Sequence, residues 1–108
     1  MGISSNYFNM VKKIILKNYD EFEERLEQQD VEISNALVEV ALASINSKKR
    51  FVPALEIELE EEETIYDISL DTTDMIGTLE QNLEIQEKHE NYETCFFIKE
   101  ALDQLNLR

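Results

Sequence analysis

The stretch Pro53-Ala54-Leu55-Glu56-Ile57-Glu58-Leu59-Glu60-Glu61-Glu62-Glu63-Thr64-Ile65-Tyr66-Asp67-Ile68-Ser69-Leu70 decides the fold class. Pro53 cannot continue a helix, and after it the apolar period drops to two: Leu55, Ile57 and Leu59 alternate with Glu56, Glu58 and Glu60. Tyr66, Ile68 and Leu70 then alternate with Asp67 and Ser69. Two alternating segments so close together predict an antiparallel hairpin. Pairing Leu55 with Leu70, Ile57 with Ile68 and Leu59 with Tyr66 places all six on one face. Glu56, Glu58 and Asp67 then occupy the other. Glu60 to Glu63 supply no Gly or Asn for a tight primed turn, so the tip is expected to be a looser loop. An isolated hairpin is marginal in water, and helices must cover its apolar face.

The flanking segments supply them. Tyr7, Val11, Ile14, Ile15, Phe22 and Leu26 recur at helical spacing, with Phe8, Leu16 and Tyr19 beside that stripe, and predict a first helix from about Ser5 to Gln28. Its polar face is Lys-rich early and Glu-rich late, against the helix dipole, so packing must hold it. Asp30 is positioned to cap a second helix from Val31 to about Ser47. The run from Ala36 to Ile45 is apolar nearly all round, which predicts a central position. Asp71, Thr72 or Thr73 can cap a third helix with Met75, Ile76, Leu79 and Leu83 on its inner face. After a break near His89 to Asn91, Cys95, Ile98, Leu102 and Leu105 form the seam of a last helix. The expected fold is α+β, with four helices packed around a two-stranded antiparallel β-hairpin in the order ααββαα.

A chain of 108 residues fits a single domain, and 43% hydrophobic content separates it from disordered acidic tails. Gly2, Gly77 and Pro53 are the only helix breakers, so loops should be short. Cys95 is the lone cysteine, which fits a reducing compartment. No stretch has the length of a membrane span, and Met1-Gly2-Ile3-Ser4-Ser5 carries no secretory pattern, so a cytoplasmic location is expected.

Charge is the most unusual feature. Twenty-four Asp and Glu against ten Lys and Arg give a formal charge of −14. Direct nucleic-acid binding rests on neutralising phosphates with Lys and Arg, so it is not expected here. Anionic membrane surfaces are disfavoured for the same reason. A basic protein surface is the natural complement, since dense charge steers encounter with an opposite partner. The acids concentrate in two places: Asp20, Glu23, Glu24 and Glu27, and the hairpin residues Glu56, Glu58, Glu60, Glu61, Glu62, Glu63 and Asp67. Carboxylates at strand spacing can imitate a phosphate backbone. On charge and size alone, the chain is compatible with a phage-encoded nucleic-acid mimic directed at a nucleic-acid-handling machine. A solvated sheet face, guarded by like charge against edge association, is the simpler use of the same residues.

Catalytic and metal readings are weaker. Two Gly cannot build a phosphate-cradling loop. No segment carries the alternating acids and central Gly of an EF-hand. One His (His89) and one Cys (Cys95) cannot make a zinc site without another chain. A non-enzymatic protein without cofactor or metal is expected.

Leu83 to Leu105 carries one further pattern: Glu90, Tyr92, Glu93, Cys95, Ile98, Lys99, Leu102 and Leu105. This resembles the UVR-type helical hairpin of bacterial excision-repair subunits and some regulatory proteins. Cys95 and Lys99 stand where that family usually has Ala and Arg. The resemblance implies a protein–protein contact element in which Tyr92 locks the two helices at their turn. It supports an alternative function, a structural or adaptor protein that docks or self-associates through its C-terminal hairpin.

Overall fold

The structure, a computed structural model, describes residues 11–107. Three strands and four α-helices follow in the order β1 (Lys12–Leu16), α1 (Tyr19–Glu27), α2 (Val31–Ala43), β2 (Phe51–Leu59), β3 (Thr64–Asp71), α3 (Met75–Lys88) and α4 (Tyr92–Asn106), with a 3₁₀ turn at Thr72–Asp74. The sheet has three strands in the order β1-β2-β3. Among the described residues the α+β class and the four helices agree with the sequence; the two-stranded sheet and the ααββαα order do not.

The difference lies in the predicted first helix. Its part from Ser5 to Met10, with Tyr7 and Phe8, lies outside the described residues. The remainder divides into β1 and α1 at Asn18, whose side-chain oxygen accepts from the Glu21 amide at 3.0 Å. Glu21 in turn accepts from the Lys17 amide at 3.2 Å. Asn18 and Glu21 thus form a variant of the capping box, which starts a helix and ends whatever precedes it. Upstream, Ile14 and Leu16 are buried while Lys13, Ile15 and Lys17 are exposed, a period of two. Ile14 and Ile15 fit a helical stripe and a strand equally, and pairing with β2 decides between them. The dipole conflict eases with the long helix gone, although Glu24 and Glu27 remain in the last turn of α1. In α1 the acids Asp20 and Glu21 fall in the first turn and Arg25 in the last, as the dipole favours.

β1 runs parallel to β2, with Lys12 opposite Leu55, Ile14 opposite Ile57 and Leu16 opposite Leu59. Parallel neighbours require a long crossover, which α1 and α2 provide. The hairpin is antiparallel, but its register differs by two from the expected one: Leu55 faces Ile68, Ile57 faces Tyr66 and Leu59 faces Thr64. A slip of two keeps every side chain on its face. The displacement arises because Glu60 to Glu63 alone make the loop, with Glu63 in the left-handed region at φ 50°. An irregularity between Pro53 and Leu55 takes up the surplus and pairs Val52 with Leu70.

Helices cover one face of this sheet. Ile14, Leu16, Leu55, Ile57, Leu59 and Leu70 meet Val38, Val40, Ala41, Leu79, Ile98 and Ala101 in one continuous core. As its apolar run predicts, α2 lies at the centre, packed on β2, α3 and α4. The Asp30 carboxylate caps it, accepting from the Ile33 amide at 3.0 Å. The same carboxylate holds Arg25 Nε at 2.8 Å, tying α1 to α2. Partial burial pushes the Asp30 carboxyl upward, but the Arg25 and Ile33 hydrogen bonds outweigh it and hold it below the ordinary carboxylate range. A depressed native value stabilises fully above the unfolded-state pKa and is lost as pH falls through the folded one. Asp30→Asn keeps a good cap but removes the charge. At neutral pH it should cost about 1–2 kcal/mol. The gap between parent and variant in urea midpoint should then begin to narrow as pH falls toward the ordinary carboxylate value of about 4, and close only below the depressed folded-state value. A gap that stays constant with pH would mean the ion pair contributes nothing.

Candidate acidic interaction surface

β1 changes the character of the open sheet face. Lys13 lies opposite Glu56, which faces Asp67; Ile15 lies opposite Glu58, which faces Ile65. Lys13 Nζ reaches Glu58 at 2.9 Å, and that hydrogen bond raises the lysine above its ordinary pKa. The face is therefore a mixed one. Glu56 and Asp67 make no ion pair among the described residues, whereas Glu58 is neutralised within the fold. Ile15 and Ile65 are exposed beside them. An unbroken row of carboxylates, as expected for a two-stranded sheet, is absent here because the third strand brings a lysine.

The tip behaves differently. The amides of Glu60 and Glu61 donate to the carbonyls of Leu16 and Lys17 at 3.0 and 2.9 Å, extending the parallel pairing past the strand ends. Glu61 Oε1 accepts from Asn18 Nδ2 at 3.1 Å, and Glu62 Oε1 accepts from the Tyr19 amide at 3.4 Å. Lys17 Nζ stands 3.9 Å from Glu61, a loose, solvent-exposed pair of little energetic weight. Glu62 thus satisfies a free amide at the start of α1, where the dipole also favours its charge. Tyr19 lies between the rings of Phe22 and Tyr66, at centroid distances of 6.0 and 6.2 Å. Hydrogen bonds and rings together fix the tip against α1.

Two acid clusters that are separate in sequence therefore meet. Glu60, Glu61, Glu62 and Glu63, all exposed, sit at the beginning of the helix that displays Asp20, Glu23 and Glu24. Glu24 accepts from Gln28 Nε2 at 3.2 Å. Glu27 lies about 12 Å along α1 from Tyr19. It borders a cleft with Leu26, Ile33 and Ile85 and stands apart from the tip. The sequence named these acids but could not join them, because their meeting depends on β1.

Elsewhere the structure adds residues that periodicity does not reveal. Phe96 and Phe97 on α4 are 56% and 48% exposed, in edge contact at 5.7 Å. Tyr92, which the UVR resemblance places at the α3–α4 turn, is 65% exposed. That turn is held by Gln86 and Asn91: the Asn91 amide donates to the Gln86 carbonyl, and Asn91 Nδ2 donates to Gln86 Oε1 at 2.9 Å. Cys95 is buried, which pushes its thiol pKa up, while His89 is exposed at the end of α3. Among the described residues no group of three or more His, Cys, Asp or Glu could hold a metal ion. None of the described helices is long and apolar enough to cross a membrane. No protein-family model, curated protein or solved structure matches the chain.

Proposed function

We propose that this is a non-enzymatic cytoplasmic protein that docks an acidic end, formed by the hairpin tip and the first turns of α1, onto a basic surface of a partner protein. One observation carries the reading: Asn18 and Tyr19 anchor Glu61 and Glu62, so Glu60 to Glu63 and Asp20, Glu23 and Glu24 form one acidic end held by hydrogen bonds. Charge presented on a fixed frame gives a focused field, and focused fields raise association rates by about 10- to 1,000-fold over a neutral surface. Pre-ordering also spares the partner complex the cost of immobilising flexible side chains. A basic groove built for a phosphate backbone matches such an end, which is the sense in which the protein acts as a nucleic-acid mimic. Glu56 and Asp67 on the open sheet face lie outside the tip and extend the acidic field.

The test begins by capturing partners from a host lysate on the immobilised chain and identifying them. Affinity of the recovered protein is then measured from about 0.05 to 0.5 M salt. It should fall steeply with salt for the parent. A variant with Glu60, Glu61, Glu62 and Glu63 all changed to Gln should bind at least about tenfold more weakly at low salt. Salt-independent affinity, or a quadruple variant indistinguishable from the parent, would remove the acidic end from the interface.

A further inference from the structure

The exposed aromatic pair of α4 shares no residue with the acidic tip, and it borders a groove. Between α2 and α4 runs an open depression of about 370 Å³ whose apolar wall is Val38, Leu42 and Phe97. Around the helix, Cys95, Ile98 and Ala101 point into the core, so Phe96 points outward and Phe97 lies on the flank facing α2. Large aromatics so exposed and adjoining a groove are the usual anchors of protein interfaces. Acids surround them. Glu93 stands one turn before Phe97, Glu100 one turn after Phe96, and Glu39 borders the groove from α2. The cation nearest in sequence, Lys99, lies 3.9 Å from Glu87 on α3 and on the opposite flank of α4.

The geometry points to a second docking surface, a groove between α2 and α4 that receives a basic amphipathic helix of a partner protein. A groove between two helices accepts a third by seating an apolar residue in the depression and laying the remaining apolar face over the ridge. Here the partner's apolar side chain fills the space between Val38, Leu42 and Phe97, and its next turn covers Phe96. Lysines or arginines flanking that apolar stripe then meet Glu39, Glu93 and Glu100. Charge complementarity selects the occupant. An acidic or neutral helix would bring apolar contact alone, and a second copy of a chain with net charge −14 would bring like charge to the rim.

The probe is a fluorescently labelled, amidated peptide of roughly four helical turns, leucine on one face and lysine on the other, titrated by anisotropy at about 0.15 M salt. Phe96→Ser combined with Phe97→Ser should weaken binding at least about tenfold, and Glu93→Gln combined with Glu100→Gln about threefold or more. Urea melts verify that each variant is folded. Because Phe97 is half-buried, Phe96→Ser alone serves as the milder version and should still lower affinity by about threefold or more. The variant with four Gln at the hairpin tip should stay within about threefold of the parent, which separates this surface from the tip. Aromatic variants that bind like the parent overturn the proposal. So does a tip variant that loses as much as they do, since the peptide would then be responding to general charge. Sedimentation showing a dimer of the parent that Phe96→Ser dissolves would assign the groove to a second copy and overturn it equally.

Discussion

Ile57→Ala should lower the unfolding free energy by about 3–4 kcal/mol. Ile57 is completely buried on the middle strand, between Ile14 of β1 and Tyr66 of β3. Truncation removes the transfer free energy of three carbon atoms and leaves a void. A β2 strand paired on both sides cannot move to fill it. A domain of this size has a total stability of roughly 5–15 kcal/mol, so the loss is a large share. The urea midpoint should drop with the slope of the transition unchanged, because the surface exposed on unfolding is nearly the same. The comparison that gives the result meaning is Ile15→Ala. Ile15 is 55% exposed on the same sheet, and its truncation should cost less than about 1 kcal/mol. Equal losses at the two positions would contradict the strand register of β1, because a helical Ile14–Ile15 stripe buries both.

Gln86→Leu should cost about 2–3 kcal/mol although it adds apolar volume to a buried site. Gln86 is completely buried and makes three side-chain hydrogen bonds. Its Nε2 donates to Ser34 Oγ and to Asn35 Oδ1, both at 2.9 Å, and its Oε1 accepts from Asn91 Nδ2 at 2.9 Å. Ser34 Oγ donates onward to Asn82 Oδ1 at 2.8 Å, and Asn82 Nδ2 donates to the Thr78 carbonyl at 2.8 Å. Among the described residues no buried side-chain nitrogen or oxygen lacks a partner, so the network is closed. Leucine opens it at three points; the desolvation cost falls on buried Ser34, whereas exposed Asn35 and half-buried Asn91 turn to water. A double-mutant cycle with Ser34→Ala separates the network from packing: the two losses should be sub-additive by about 1 kcal/mol or more. Full additivity, or a Gln86→Leu variant as stable as the parent, would mean that α2, α3 and the α3–α4 turn are joined by apolar contact alone.

These two residues also mark the boundary of what the sequence made legible. Alternation from Leu55 to Leu70 and the helical seams of α2, α3 and α4 report local geometry, and each element formed near where its period placed it, although Ile76, assigned to the inner face of α3, is exposed. Asp30 reports local chemistry and caps as expected. β1 is another matter. Five residues are too few for period two to exclude period 3.6, and the partner that settles the question arrives only after two intervening helices. Asn18 and Glu21 were the available signal, since an N-cap inside a predicted helix argues against its continuity. The polar network carried a signal of the same kind. Asn82 and Gln86 follow Met75 and Leu79 at helical spacing, so they belong to the buried stripe; reading only apolar residues along that stripe hides them. The acids of the candidate surface were all visible by composition. Their division into a fixed tip, a partly neutralised sheet face and the remote Glu27 was not, because it is a property of pairing between distant strands.

The parallel alignment of β1 has a consequence for biosynthesis. Chain elongation delivers Ile14 and Leu16 to solvent well before their neighbour β2 leaves the ribosome, so an apolar strand with unsatisfied amides waits while α1 and α2 are made. Lys12 and Lys13 open that strand and Lys17 follows it, and mutual repulsion between nascent chains keeps such segments apart during the wait. Once β2 and the hairpin tip arrive, Lys13 and Lys17 settle onto Glu58 and Glu61. Lys13 thus acts first as a solubilising guard and afterwards as a clasp on Glu58.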